Sequence, residues 1–171
     1  TNRLSDDESC QLHAVPEKED VSALLRALYA LRRSVWLSRD DSTLTYMLPV
    51  EGGCITRLGG VPVRMTAAVK GLSRKEITLQ AELKQPVQFT LELRVPRWAD
   101  SASVSVNGGM PVQAQPGEKF PLTRLFQSGD TIVLTLASSP RLETGYRGSL
   151  SVFCGSTLMA LPLPGAEMEW R

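Results

Sequence analysis

The chain has 171 residues, long enough to bury a real core as one sizeable domain or as two small β modules packed together. Its 42% hydrophobic and 22% charged content exclude wholesale disorder, collagen-like repeats and coiled coil. Nineteen Lys and Arg stand against 18 Asp and Glu, a formal charge of +1, and the cations are scattered or in short pairs such as Arg32-Arg33, so no nucleic-acid partner is expected.

No apolar run approaches the roughly 20 residues that a membrane helix needs; no membrane partner is expected and the protein reads as soluble. The chain opens at Thr1 without Met and without a basic or apolar leader, and reads as a cut or processed piece whose compartment is not legible. Residues 1–19, with Asp6, Asp7, Glu8, Glu17 and Glu19, form a polar tail. From Asp20 the texture changes. Val21, Leu24, Leu25, Leu28 and Tyr29, extended by Val35 and Trp36, recur at helical spacing. One amphipathic helix of about 16 residues is expected within 20–38, with Asp20 as N-cap and Arg32 and Arg33 placed against the dipole at its far end.

After Asp40 and Asp41 the period changes to two. Leu44, Tyr46 and Leu48 alternate with polar residues or Met47, and Gly52-Gly53 and Gly59-Gly60 mark reversals. Further stripes follow at Val61 to Val69, Ile77 to Leu83 and Val87 to Val95. Ala102, Val104 and Val106 run into Asn107-Gly108, which supplies the positive φ values of a tight hairpin turn. Ile132, Leu134 and Leu136 make another strand, and Leu150 to Phe153 and Thr157 to Leu161 the last two. Strands that bury every second residue belong to antiparallel sheets with one covered face. Roughly nine or ten of them predict a mainly β fold, an antiparallel, jelly-roll-like β-sandwich over residues 40–171 behind one N-terminal α-helix. It is either one sandwich or one sandwich plus the start of a second.

Chemistry is harder to find. Paired carboxylates could run glycoside hydrolysis if one were held protonated, but Asp40 and Asp41 are typical turn formers and Glu143 has no evident partner. Cys10, near Glu8 and His13, lies in the tail, where no rigid support holds a nucleophile. Cys54 and Cys154 fall in strand-like runs and read as small buried hydrophobes. Three scattered cysteines and one histidine do not make a zinc site. Trp98, just after the strand-ending Pro96, reads as a plug over the sandwich end, and Arg94 and Arg97 as surface cations. No catalytic, cofactor-binding or metal-ligating residue is assigned.

Phe89, Leu91, Leu93, Arg94, Val95, Pro96 and Trp98, followed by Val104, Val106, Asn107 and Gly108, resemble the F-x-L-x-L-R-[IV]-P-x-W strand and V-x-V-N-G hairpin of the β-L-arabinofuranosidase type of glycoside hydrolase. The run from Gly129 to Leu134 is similar to its G-D-x-[IV]-x-L strand start, and Tyr146 to Leu161 to its V-A-V-x-x-G-P-L-V-Y-A-L segment. Upstream, ALLRALYALRRSVW and LTYMLPV resemble the last helix of its catalytic barrel entering the first sandwich strand. The resemblance implies a bacterial enzyme that releases terminal β-L-arabinofuranose from plant-type glycans. It also implies a zinc-bound cysteine nucleophile and a glutamate acid/base, both in an (α/α) barrel. That barrel is not in this chain, and where the family has adjacent cysteines this sequence has Cys10-Gln11.

The expectation is therefore a non-catalytic sandwich, inactive alone, with no cofactor of its own and the barrel of a parent chain as partner. On this reading Leu24, Leu28 and Trp36 leave an exposed apolar stripe on the helix. The competing expectation is a free-standing carbohydrate-binding or structural module, which requires Trp98, Tyr29 or Tyr46 in an open groove.

Overall fold

A computed structural model describes residues 18–145 and 148–159, so the tail with Glu8, Cys10 and His13 lies outside the described residues. Its elements are α1 (Lys18–Arg33), β1 (Trp36–Ser38), β2 (Thr43–Tyr46), β3 (Gly52–Leu58), β4 (Val61–Lys70), β5 (Arg74–Leu83), β6 (Val87–Arg94), β7 (Ser101–Val106), β8 (Val112–Ala114), β9 (Lys119–Phe126), β10 (Thr131–Ala137), β11 (Pro140–Thr144), β12 (Leu150–Cys154) and β13 (Thr157–Met159). Two sheets, ordered β1-β2-β6-β9 and β3-β4-β5-β10-β7-β8, face each other, and β11-β12-β13 form a third. The described residues make a mainly β, sandwich-like fold with one α-helix.

The alternation in the sequence dictates this interior. Val63, Met65, Ile77, Leu79, Leu91, Leu93, Leu134 and their neighbours from both sheets make one hydrophobic cluster, in which Phe89 and Phe126 stack with ring centroids 4.0 Å apart. Fully burying each such side chain contributes about 1.5–3 kcal/mol, and this sum holds the two sheets together.

The structure corrects several expectations. The helix runs from Lys18 to Arg33, so Asp20 falls in its first turn rather than at the N-cap. Trp36 belongs to β1 and packs inward, its ring centroid 4.6 Å from that of Tyr46. The helical spacing of Val35 and Trp36 was coincidental: Val35 is buried in the bend after α1 and Trp36 opens β1, and two such inward-facing residues can extend an i, i+3, i+4 pattern by chance. The ladders are antiparallel except for β2 with β6, which run parallel from Thr43↔Thr90 to Tyr46↔Leu93. Between them the chain builds β3 to β5 in the opposite sheet, and so long a connection allows a parallel return.

Asn107 and Gly108 do take positive φ, 50° and 72°, and Gly109 N–H donates to the Val106 carbonyl at 2.9 Å. They do not close a two-residue hairpin, since β8 pairs with β7 only from Val104↔Val112. The edge strand β9 was not expected: Pro121 and Leu125 interrupt its alternation. Of the final strand expected over Thr157 to Leu161, Thr157–Met159 is seen and the last two positions lie outside the described residues.

Candidate functional site

The acidic residues with the best-defined surroundings act as anchors. Asp130 Oδ1 accepts from Asn107 Nδ2 at 2.7 Å and Oδ2 from Gln127 N–H at 2.9 Å, while Thr131 N–H donates to Asn107 Oδ1 at 2.8 Å. Two turns are thereby locked to each other. Burial pushes the Asp130 carboxyl up, but these N–H donors and the Arg124 guanidinium 3.6 Å away outweigh it and hold the group below the usual carboxylate range. Glu92 Oε2 accepts from Lys119 Nζ at 2.7 Å and Thr45 Oγ1 at 2.8 Å, and those bonds lower its pKa too. Asp40 caps its own turn, accepting from Ser42 N–H at 2.9 Å and Ser42 Oγ at 2.8 Å, and is likewise lowered. A general acid of glycoside hydrolysis needs the opposite shift. Asp41 and Glu143 are exposed, and Glu143 accepts from Arg141 Nε at 2.9 Å.

Cys154 is buried, and half-buried Cys54 has its thiol pushed up to about 11 by burial, the reverse of an activated nucleophile. Among the described residues no three His, Cys, Asp or Glu side chains come together to hold an ion. The zinc and cysteine nucleophile implied by the resemblance therefore have no matching donor set among the described residues.

Among the described residues the aromatic side chains do not form an open platform. Tyr46 is buried, with its hydroxyl donating to the Val50 carbonyl at 2.8 Å. Trp98 is half-buried against the core under Gly155, where an added Cβ would stand 3.2 Å from its Cζ3. Tyr29 is exposed, on the helix, with the Arg33 guanidinium 5.7 Å from its ring centroid. Arg94 lies half-buried with Nη1 reaching the Met47 carbonyl at 3.5 Å, and Arg97 is exposed.

Among the described residues two apolar surfaces are uncovered. On α1, Val21, Leu24, Leu25, Leu28 and Leu31 line one side and are all exposed, Leu24 at 59% and Leu25 at 61%. No residue of the helix from Val21 onward is buried. On the third sheet the register puts Leu142, Leu150, Val152 and Met159 on one exposed face. Trp36, which was expected to share the exposed stripe, instead fills the sandwich edge.

The family model for the β-L-arabinofuranosidase GH127 middle domain matches residues 50–138, just over half of the chain. The chain belongs to the GH127 middle-domain family. Solved structures of similar fold include a GH127 β-L-arabinofuranosidase from Geobacillus stearothermophilus T6, at 20% identity and TM-score 0.67 over 80% of this chain and 22% of that one. A glycoside hydrolase matches at 21% identity and TM-score 0.68 over 92% of this chain and 29% of that one. A GH127 β-arabinofuranosidase matches at 17% identity and TM-score 0.64 over 80% and 25%. No curated protein matches. The chain thus spans under a third of the length of these solved structures. Its matched segment runs from just before β3 to just after β10, leaving outside it both uncovered surfaces, α1 and β11–β13. No helix among the described residues is long and apolar enough to cross a membrane.

Proposed function

We propose that this GH127 middle domain is the non-catalytic sandwich of a longer glycoside hydrolase that releases terminal β-L-arabinofuranose from glycans. Its role is to buttress a helical catalytic domain of the same parent chain, with the third sheet beginning a further β module. The observation that carries this reading is α1. Among the described residues nothing packs on its apolar side, while the sandwich has a core of its own. A 16-residue helix without tertiary packing is marginal in water, so this element makes physical sense as part of another domain's wall. Burial of that side would contribute roughly 25 cal/mol per Å² of apolar surface covered.

The test is to mix the purified chain with an aryl β-L-arabinofuranoside and zinc. No turnover is expected; clear turnover by the chain alone overturns the non-catalytic assignment. The competing module reading gains nothing from Tyr46 or Trp98, both packed into the fold, and rests on Tyr29 alone of the three, exposed on α1. Calorimetric titration with arabino-oligosaccharides is expected to give no saturable heat, and binding at useful affinity would favour the module.

A further inference from the structure

Lys75 occupies an inward-facing position of β5, two residues before fully buried Ile77 and in register with Leu136, where the strand's alternation calls for a hydrophobe. Its exposure is only 9%, yet among the described residues no ion pair includes it. Its ammonium instead donates to Ser156 Oγ at 2.7 Å and lies 5.6 Å from the ring centroid of Trp98. Lysine is rarely this buried without a counter-charge, because a hydroxyl and a π-face compensate only part of the lost hydration. Methionine would fill the space without that desolvation.

The three groups come from three parts of the chain: β5, the corner after β6, and the turn between β12 and β13. They meet where the third sheet leaves the sandwich. There Ser138 N–H donates to the Ser73 carbonyl at 2.7 Å, Ser139 N–H to Asp100 Oδ2 at 2.6 Å, and Asp100 N–H to the Ala137 carbonyl at 2.9 Å. Gly155 closes the seam: its φ is +60°, and an added Cβ would lie 3.2 Å from both Trp98 Cζ3 and Ser138 Oγ. The Arg141 guanidinium donates to its carbonyl. Among the described residues no backbone ladder joins the third sheet to either sheet of the sandwich.

We infer that Lys75 is a positioning residue whose ammonium, gripped by Ser156 and the Trp98 ring, fixes the seat of the β11–β13 sheet on the sandwich. The contact sets the direction in which Leu142, Leu150, Val152 and Met159 face, and it exchanges stability for a defined orientation. The inference stands apart from the arabinofuranosidase reading, since it concerns a contact within this chain and is measured without a sugar.

Hydrogen exchange on the whole chain tests it, comparing wild type with Lys75→Met and Ser156→Ala. Exchange in β11–β13 is expected to rise about tenfold or more in both variants, while β4, β5 and β10 stay within about twofold. The global unfolding midpoint of Lys75→Met is expected to hold or rise. Unchanged exchange in β11–β13 in both variants overturns the inference, as does a uniform rise across the sandwich, which would make Lys75 an ordinary core stabiliser. Ser156→Ala removes one hydroxyl from an exposed residue, so the test survives if Lys75→Met fails to fold.

Discussion

Leu91, Leu93 and Leu134 in the sandwich are fully buried, whereas Leu24, Leu25 and Leu28 in α1 are each more than half exposed. The same side chain therefore does opposite work in two parts of one molecule. In the sandwich, each inward residue meets partners from the facing sheet, and the apolar area it loses to water appears as stability of this chain. In α1 the periodicity is as clear, but the described fold offers nothing to pack against it. A regular pattern thus specifies an element's shape and its buried side, and says nothing about which chain or domain does the burying.

Substitutions can break or sharpen that contrast. The largest effect is expected for Phe89→Ala, which empties a stacked site and should cost about 3–5 kcal/mol in denaturant unfolding. A loss below about 1 kcal/mol would mean that the interior collapses to refill the space. Gly71→Ala comes next: its φ is +82° and the new Cβ would lie 2.0 Å from the Arg74 carbonyl oxygen, so the roughly 1–3 kcal/mol of a strained left-handed residue is a lower bound. The β4–β5 turn must open to admit it, and the unfolding midpoint reads the cost.

Asp130→Ala should cost about 1–3 kcal/mol at neutral pH by freeing the N–H donors of Asn107 and Gln127. The sign with pH follows from its lowered pKa. The carboxylate's contribution is complete above the ordinary value of about 4 and is lost as pH falls through the still lower value of the folded state. Wild type and variant should therefore converge in acid, as urea midpoints measured from pH 7 downward would show. Divergence in acid would place the effect elsewhere. The smallest effect is expected in the helix. Leu24→Glu with Leu28→Glu should change the unfolding free energy of the isolated chain by no more than about 0.5 kcal/mol while improving its solubility. A loss of several kcal/mol would show that α1 packs on this chain after all.

The strands were legible wherever alternation was clean, as in Val61 to Ala67 or Ile132 to Leu136, because burial of one face selects period two. Strand β9 was not, since Pro121 and Leu125 break the pattern on an edge where one side is free. The Asn107-Gly108 dipeptide disclosed its backbone conformation but not its second task of holding Asp130, a contact made across 23 residues. Lys75 could be noticed only as a lysine in a hydrophobic register. Its partners, Trp98 and Ser156, are remote in sequence, and no local pattern links them.

Composition, alternation and turn residues by themselves determined a mainly β chain with an amphipathic helix ahead of it, because these follow from local periodicity and residue chemistry. The tertiary structure alone decided that β2 and β6 run parallel, that Trp36 turns inward, that Lys75 meets Ser156 and Trp98, and that no described residue covers the apolar side of the helix. Each of those depends on which distant segments share space, and distance along the chain carries no record of that.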